Sequence, residues 1–180
     1  MRKFILILLF CFTITVNAQQ IKWVDFETAI ELQEQKPKKM LVFFYAEWSK
    51  DSHKMNETTL VNKDVAKYIN KKFYAVNFNA EGNSVVNYKD FKYTNPNYDA
   101  NRKGRNYQHF FADALKVTTY PSIVFFDEKA DVISPVAGYK TPQELEIFLK
   151  MIATDDYKKV TTAQAWKNYQ DNFKGDFSLN

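Results

Sequence analysis

The segment Trp48-Ser49-Lys50-Asp51-Ser52-His53-Lys54-Met55 sets two hydroxyls three positions apart, where an apolar run gives way to helical spacing. Two thiols at that spacing would form a dithiol, with the first sulfur activated by the helix N-terminus from a pKa near ~8.5 toward neutrality. The same field moves a group by a few units at most, and an aliphatic alcohol stays protonated under it. Disulfide exchange is therefore closed to Ser49 and Ser52. The one cysteine of the chain is Cys11, far from this segment.

Other chemistry has to be weighed for the same residues. Ser49 and His53 are spaced i, i+4 on one helix face, which permits a Ser-His contact. A working pair also needs an orienting group and an oxyanion hole, and Asp51 points around the helix from His53. Non-redox catalysis through Ser49 or His53 is carried as the alternative to the plainer reading, in which Ser49 or Ser52 caps the helix and His53 lies at the surface. His53 and His109 are too few and too isolated for zinc. Asn95, Asn97, Asp99 and Asn101 alternate like the start of a calcium loop. However, Ala100 stands where glycine is expected, no carboxylate closes the loop, and Arg102, Lys103 and Arg105 oppose a dication. No metal and no cofactor is expected.

The elements that must hold these residues follow from periodicity. Asp25 to Gln35 reads as a helix capped by Asp25. Met40 to Tyr45 is apolar throughout and reads as a strand buried on both faces. Ser52 to Asn70 reads as one helix bent near Thr58-Thr59, and Phe73 to Phe78 as the next strand. Val85-Tyr88 and Phe91-Thr94 suit a hairpin about Lys89-Asp90. Phe110, Phe111, Ala114 and Leu115 mark a third helix. Ser122-Phe126 and Val132-Ala137 read as antiparallel strands, with Pro135 tolerable only at an edge or bulge. Thr141-Pro142-Gln143-Glu144 opens a final helix with a capping box. A further helix over 161–173 is expected to dock through Trp166, Tyr169 and Phe173. Such an order predicts an α/β fold with a mixed central sheet of four or more strands and helices on both faces.

At the start of the chain, Arg2 and Lys3 precede an apolar run to Val16, and Val16-Asn17-Ala18 offers a cleavage site, which predicts a signal peptide over 1–18 and export to the periplasm or exterior. The run is shorter than the ~20 apolar residues of a membrane span, so no membrane insertion is expected after cleavage. About 160 residues then remain, enough for one domain over 19–156 and a helical tail over 157–180 packed on it. Losing Arg2 and Lys3 takes the formal charge from +4 to +2, too little and too dispersed to predict a nucleic-acid partner. Without cysteine, the mature chain relies on its core alone and is no target of thiol control.

Phe44-Tyr45-Ala46-Glu47-Trp48 leading into a helix, Thr119-Tyr120-Pro121 before a strand, and Val136-Ala137-Gly138 before the last helix together resemble the thioredoxin superfamily over about 39–152. The resemblance is closest to exported bacterial members carrying Trp-Cys-x-x-Cys-Lys-x-Met, with both cysteines replaced here by Ser49 and Ser52. It implies that Pro121 is cis and faces Ser49. It also implies that the edge formed by Trp48, Ser49, Ser52, His53, Tyr120 and Pro121 holds an extended substrate strand. A buried acid of the family is matched by Phe43, a further departure from redox chemistry.

The stretch 79–108 is an insertion relative to that frame. Its aromatic and basic residues either pack an annex or extend the contact surface, with Tyr93, Tyr98 and Arg105 the candidate contacts. Asn95-Pro96-Asn97-Tyr98 and Gly104-Arg105-Asn106 resemble segments of exported relatives that keep both cysteines, which implies that the insertion belongs to the family's architecture. The functional expectation is a redox-inactive exported protein that binds a protein or peptide, as an adaptor or an envelope-complex component. A purely structural subunit is the rival from a third class.

Overall fold

A strand with no polar position has no wet face, and the apolar run after Lys39 lies accordingly in the middle of the sheet. The computed structural model describes residues 20–178, so the expected leader over 1–18, with Cys11, lies outside the described residues. In chain order the elements are β1 (Trp23–Val24), α1 (Phe26–Gln35), β2 (Lys39–Tyr45), α2 (Lys50–Thr58), α3 (Lys63–Lys72), β3 (Phe73–Asn79), β4 (Val86–Tyr88), β5 (Phe91–Tyr93) and α4 (Phe110–Ala114). They continue with β6 (Ser122–Phe126), β7 (Val132–Ala137), α5 (Pro142–Ala153), a short 3-10 turn and α6 (Ala163–Asn172). The main sheet has the order β1-β3-β2-β6-β7, parallel through β1, β3 and β2 and antiparallel at β6 and β7. Pro135 sits on the edge strand β7, where its missing N–H leaves no ladder bond unmade on the open side.

Strand alternation divides the core into two layers. Leu41 and Phe43 point to the face covered by Met55 of α2, Val65 and Ile69 of α3, and Leu145 and Leu149 of α5. Met40, Val42 and Phe44 point to the other face, under Phe26 of α1, Phe111 of α4 and Val86 of the hairpin. Burying each such side chain stabilises the fold by about 1.5–3 kcal/mol relative to leaving it exposed. Among the described residues, no helix is long and apolar enough to cross a membrane.

One sequence expectation is corrected and one element is new. The single bent helix over Ser52–Asn70 is two helices, α2 and α3. Asn62 stops the first continuation by capping the second: its Oδ1 accepts from Asp64 N at 3.0 Å and from Val65 N at 3.1 Å. Just before it, the Thr59 hydroxyl donates to the Lys140 carbonyl at 2.6 Å, tying the junction to the start of α5. Strand β1 was not anticipated, because two residues carry no periodicity and its partner β3 is distant in sequence.

The hairpin turns at Lys89 and Asp90, both with positive φ (49° and 64°), the backbone of a two-residue turn whose twist suits paired strands. At the other end, α6 lays a ladder of rings on α5, with Phe148–Trp166, Trp166–Tyr169 and Tyr169–Phe173 stacked at 5.4, 6.3 and 6.2 Å. The chain then returns across α5. There the fully buried Glu146 carboxylate accepts from Asp176 N at 2.6 Å and Phe177 N at 3.0 Å and pairs with Lys150 at 2.6 Å.

Candidate functional site

Ser49 is the N-cap of α2, and its hydroxyl is fully engaged. Its Oγ accepts from Ser52 N at 3.2 Å and donates to the Tyr120 carbonyl at 3.0 Å. The residue is 4% exposed. The His53 ring is turned elsewhere, with Nε2 2.6 Å from the Glu47 carbonyl oxygen, to which it donates. Ser49 and His53 thus each have a backbone carbonyl as acceptor, which is not the arrangement of a nucleophile and its base.

The loop facing Ser49 is built by long-range bonds. The Tyr120–Pro121 peptide bond is cis, and the Pro121 carbonyl accepts from Gly138 N at 2.8 Å. Gly138 follows β7 with φ +79°, a conformation that other residues adopt only with strain. The Tyr120 hydroxyl donates to Gln108 Oε1, and its ring meets Trp48 edge-on at 5.9 Å. Burial holds the Tyr120 phenol well above its ordinary pKa, so it remains a donor.

Trp48 is clamped from the insertion side. Its Nε1 donates to Glu81 Oε1 at 2.8 Å, while Glu81 Oε2 accepts from Asn106 N at 2.6 Å. The Arg105 guanidinium lies 3.8 Å over the Trp48 ring, a cation–π contact. Together these side chains border an open groove of about 630 Å³ that runs from Lys50 past Trp48 to Thr119.

Of the residues expected from the sequence, Trp48, Ser49, Tyr120 and Arg105 line one groove, with the buried Pro121 directly behind Tyr120. Ser52 and His53 line a separate hollow. Tyr93 lies against Phe111 at 5.6 Å and builds the annex, as Tyr88 does against Phe26 at 5.7 Å. Tyr98 is 37% exposed and does not border the groove. The alternating Asn95 to Asn101 run is a set of turns: Asn95 Nδ2 donates to the Gly82 and Tyr107 carbonyls at 3.0 and 2.7 Å, and Asp99 Oδ1 accepts from Asn101 N at 2.9 Å. Among the described residues, no cluster of His, Cys, Asp and Glu could hold a metal. Glu81 and Gln108 were missed, since each meets its partner only through the fold; the turn-forming Asn79 and Gly82 on either side of Glu81 were the local sign there.

A sequence profile of the thioredoxin-like domain matches residues 26–153. A search of curated proteins finds no match. Among solved structures, a thioredoxin from Thermus thermophilus is similar at TM-score 0.57 and 16% identity, over 76% of this chain and 89% of that one. A thioredoxin-fold protein from Helicobacter pylori is similar at TM-score 0.56 and 18% identity, over 75% and 81%. A putative disulphide-isomerase from Bacteroides thetaiotaomicron is similar at TM-score 0.50 and 16% identity, over 76% and 93%. At these identities the likeness is one of fold.

Proposed function

The chain belongs to the thioredoxin-like domain family, and from that premise we propose that it is an exported, redox-inactive member that works by binding a protein or peptide along the groove beside Trp48. The observation that carries this reading is Ser49. The residue at the helix mouth is an alcohol whose hydrogen bonds fix the groove wall, so the site keeps its shape without a reactive group. Trp48 contributes a large, rigid ring at low conformational cost, a side chain that recurs at the centres of binding surfaces. Thr118 and Thr119 beside it are exposed, which suits an extended segment laid along the groove. Export is supported by the basic and apolar start of the sequence with its Val16-Asn17-Ala18 site.

The test is capture of the tagged protein after crosslinking in its native host, with Trp48→Ala and Ser49→Arg in parallel. One stoichiometric partner, lost in both variants, is the expected result. A partner retained in both places the contact surface elsewhere and removes this reading.

A further inference from the structure

Among the described residues, Ser52 Oγ is a buried hydroxyl with no hydrogen-bond partner, in a residue only 2% exposed. Buried polar groups are satisfied in the great majority of cases, so an orphan calls for something that completes it. Ser52 lines a hollow of about 220 Å³ that shares no residue with the Trp48 groove. Phe43 and Asn77 are side by side on β2 and β3 at its base, and the Tyr45 ring stacks along Phe43 at 6.2 Å and 16°. Glu47, His53 and Asn56 complete the wall.

The charge of this wall is one-sided: it contains one carboxylate and no lysine or arginine. The Asn56 and Asn77 amides, which both donate and accept, the orphan hydroxyl and two aromatic rings make up the rest. Burial, with the Glu47 charge nearby, holds the Tyr45 phenol above its ordinary pKa, so it stays protonated beside the Glu47 carboxylate. Nothing in the wall neutralises that carboxylate.

We propose that this hollow is a cation site, taking the ammonium or guanidinium head of a small alkylamine or of a lysine or arginine side chain. Glu47 supplies the opposite charge. Ser52 Oγ, Asn56 and Asn77 accept the N–H groups, and the Phe43–Tyr45 rings take the stem and the face of the cation. The volume suits a head group with a short chain rather than a folded partner. The site stands independently of the groove reading.

The test is a chemical-shift titration of the isotope-labelled protein with n-propylammonium, methylguanidinium, the capped amino acid N-acetyl-lysine methylamide, and n-propanol as the uncharged probe. Saturable shifts at Glu47, Ser52, His53, Asn56 and Asn77 with the cations, at least tenfold weaker with n-propanol, are expected. Glu47→Gln is expected to weaken binding about tenfold or more. Asn77→Lys, which places an ammonium in the hollow from an exposed strand position, is expected to abolish binding with the remaining spectrum unchanged. Tighter binding of the capped lysine assigns the site to a polypeptide side chain, and tighter binding of the free amine to a small molecule. Equal response to n-propanol, no saturation by about 10 mM, or shifts confined to Trp48 and Arg105 would overturn the proposal.

Discussion

The Ser49 hydroxyl joins the first turn of α2 to the Tyr120 carbonyl, 3.0 Å away, across a sequence separation of 71 residues. One oxygen therefore caps a helix and anchors the loop opposite it. Ser49→Ala removes both bonds and leaves a part-buried carbonyl and a buried helix N–H without these partners. A loss of about 1–2 kcal/mol is expected in urea or thermal unfolding. An unchanged midpoint would show that the bridge holds nothing.

The same geometry predicts what sulfur would do here. Ser49 caps α2 and Ser52 stands three residues on in its first turn, the i, i+3 placement of a dithiol at a helix start. The double variant Ser49→Cys with Ser52→Cys is expected to form an intramolecular disulfide under mild oxidant. When the variant is reduced, the thiol at the first of the two positions should alkylate with a pKa below the ~8.5 of a free thiol. A folded double variant that stays fully reduced would show that the two positions are not the dithiol frame.

His109 supplies the pH dependence. It is fully buried, its Nδ1 accepts from Phe111 N at 3.0 Å as the cap of α4, and Nε2 meets the Ser84 carbonyl at 2.6 Å. Burial lowers its pKa below the ordinary ~6.5, against the opposing effects of Ser84 and Asp113. As pH falls below ~6.5 the unfolded chain binds the proton first, so stability present above that pH is lost progressively toward the depressed folded value. His109→Asn, which keeps a capping oxygen and cannot titrate, is expected to flatten the unfolding profile between about pH 7 and 5. An equally steep profile in that variant would assign the acid sensitivity to other groups.

The C-terminal return is held by a charge rather than by a strand. A Cβ on Gly175 would stand 2.6 Å from Glu146 Oε2, an atom of a carboxylate already fixed by two backbone N–H groups and near Lys150. Gly175→Ala is expected to dislodge 174–178 and leave Glu146 under-satisfied, at a cost on the order of 2–3 kcal/mol. Hydrogen exchange at Asp176 and Phe177 reads the local event. The pair Gly175→Ala with Glu146→Gln should lose less than the first change alone, because the stranded charge is gone. A larger loss in the pair would contradict this account of the buried carboxylate.

Much of the frame was legible because its signals are local. The apolar run to Tyr45 identified the central strand, Thr141 with Glu144 gave the capping box of α5, and Lys89-Asp90 marked the hairpin turn. Trp48, Ser49, Tyr120 and Arg105 were named from motif and composition, and they meet in one groove. What escaped depends on tertiary partners. Glu81 is an ordinary acidic residue until Trp48 and Asn106 close on it. The α2–α3 break rests on Asn62 and on a Thr59 bond to a residue 81 positions away. The resemblance implied a place for Ser52 on the binding edge, whereas its side chain lines the hollow on Phe43 instead.

The central claim is that a partner engages the groove beside Trp48, and site-specific photocrosslinking in the native host tests it most directly. A photoreactive residue placed at Lys50 or Thr118 borders the groove; one at Gln164 lies on the exposed face of α6. The account predicts one and the same adduct from Lys50 and Thr118 and none from Gln164. An adduct from Gln164 with none from the groove positions would contradict it.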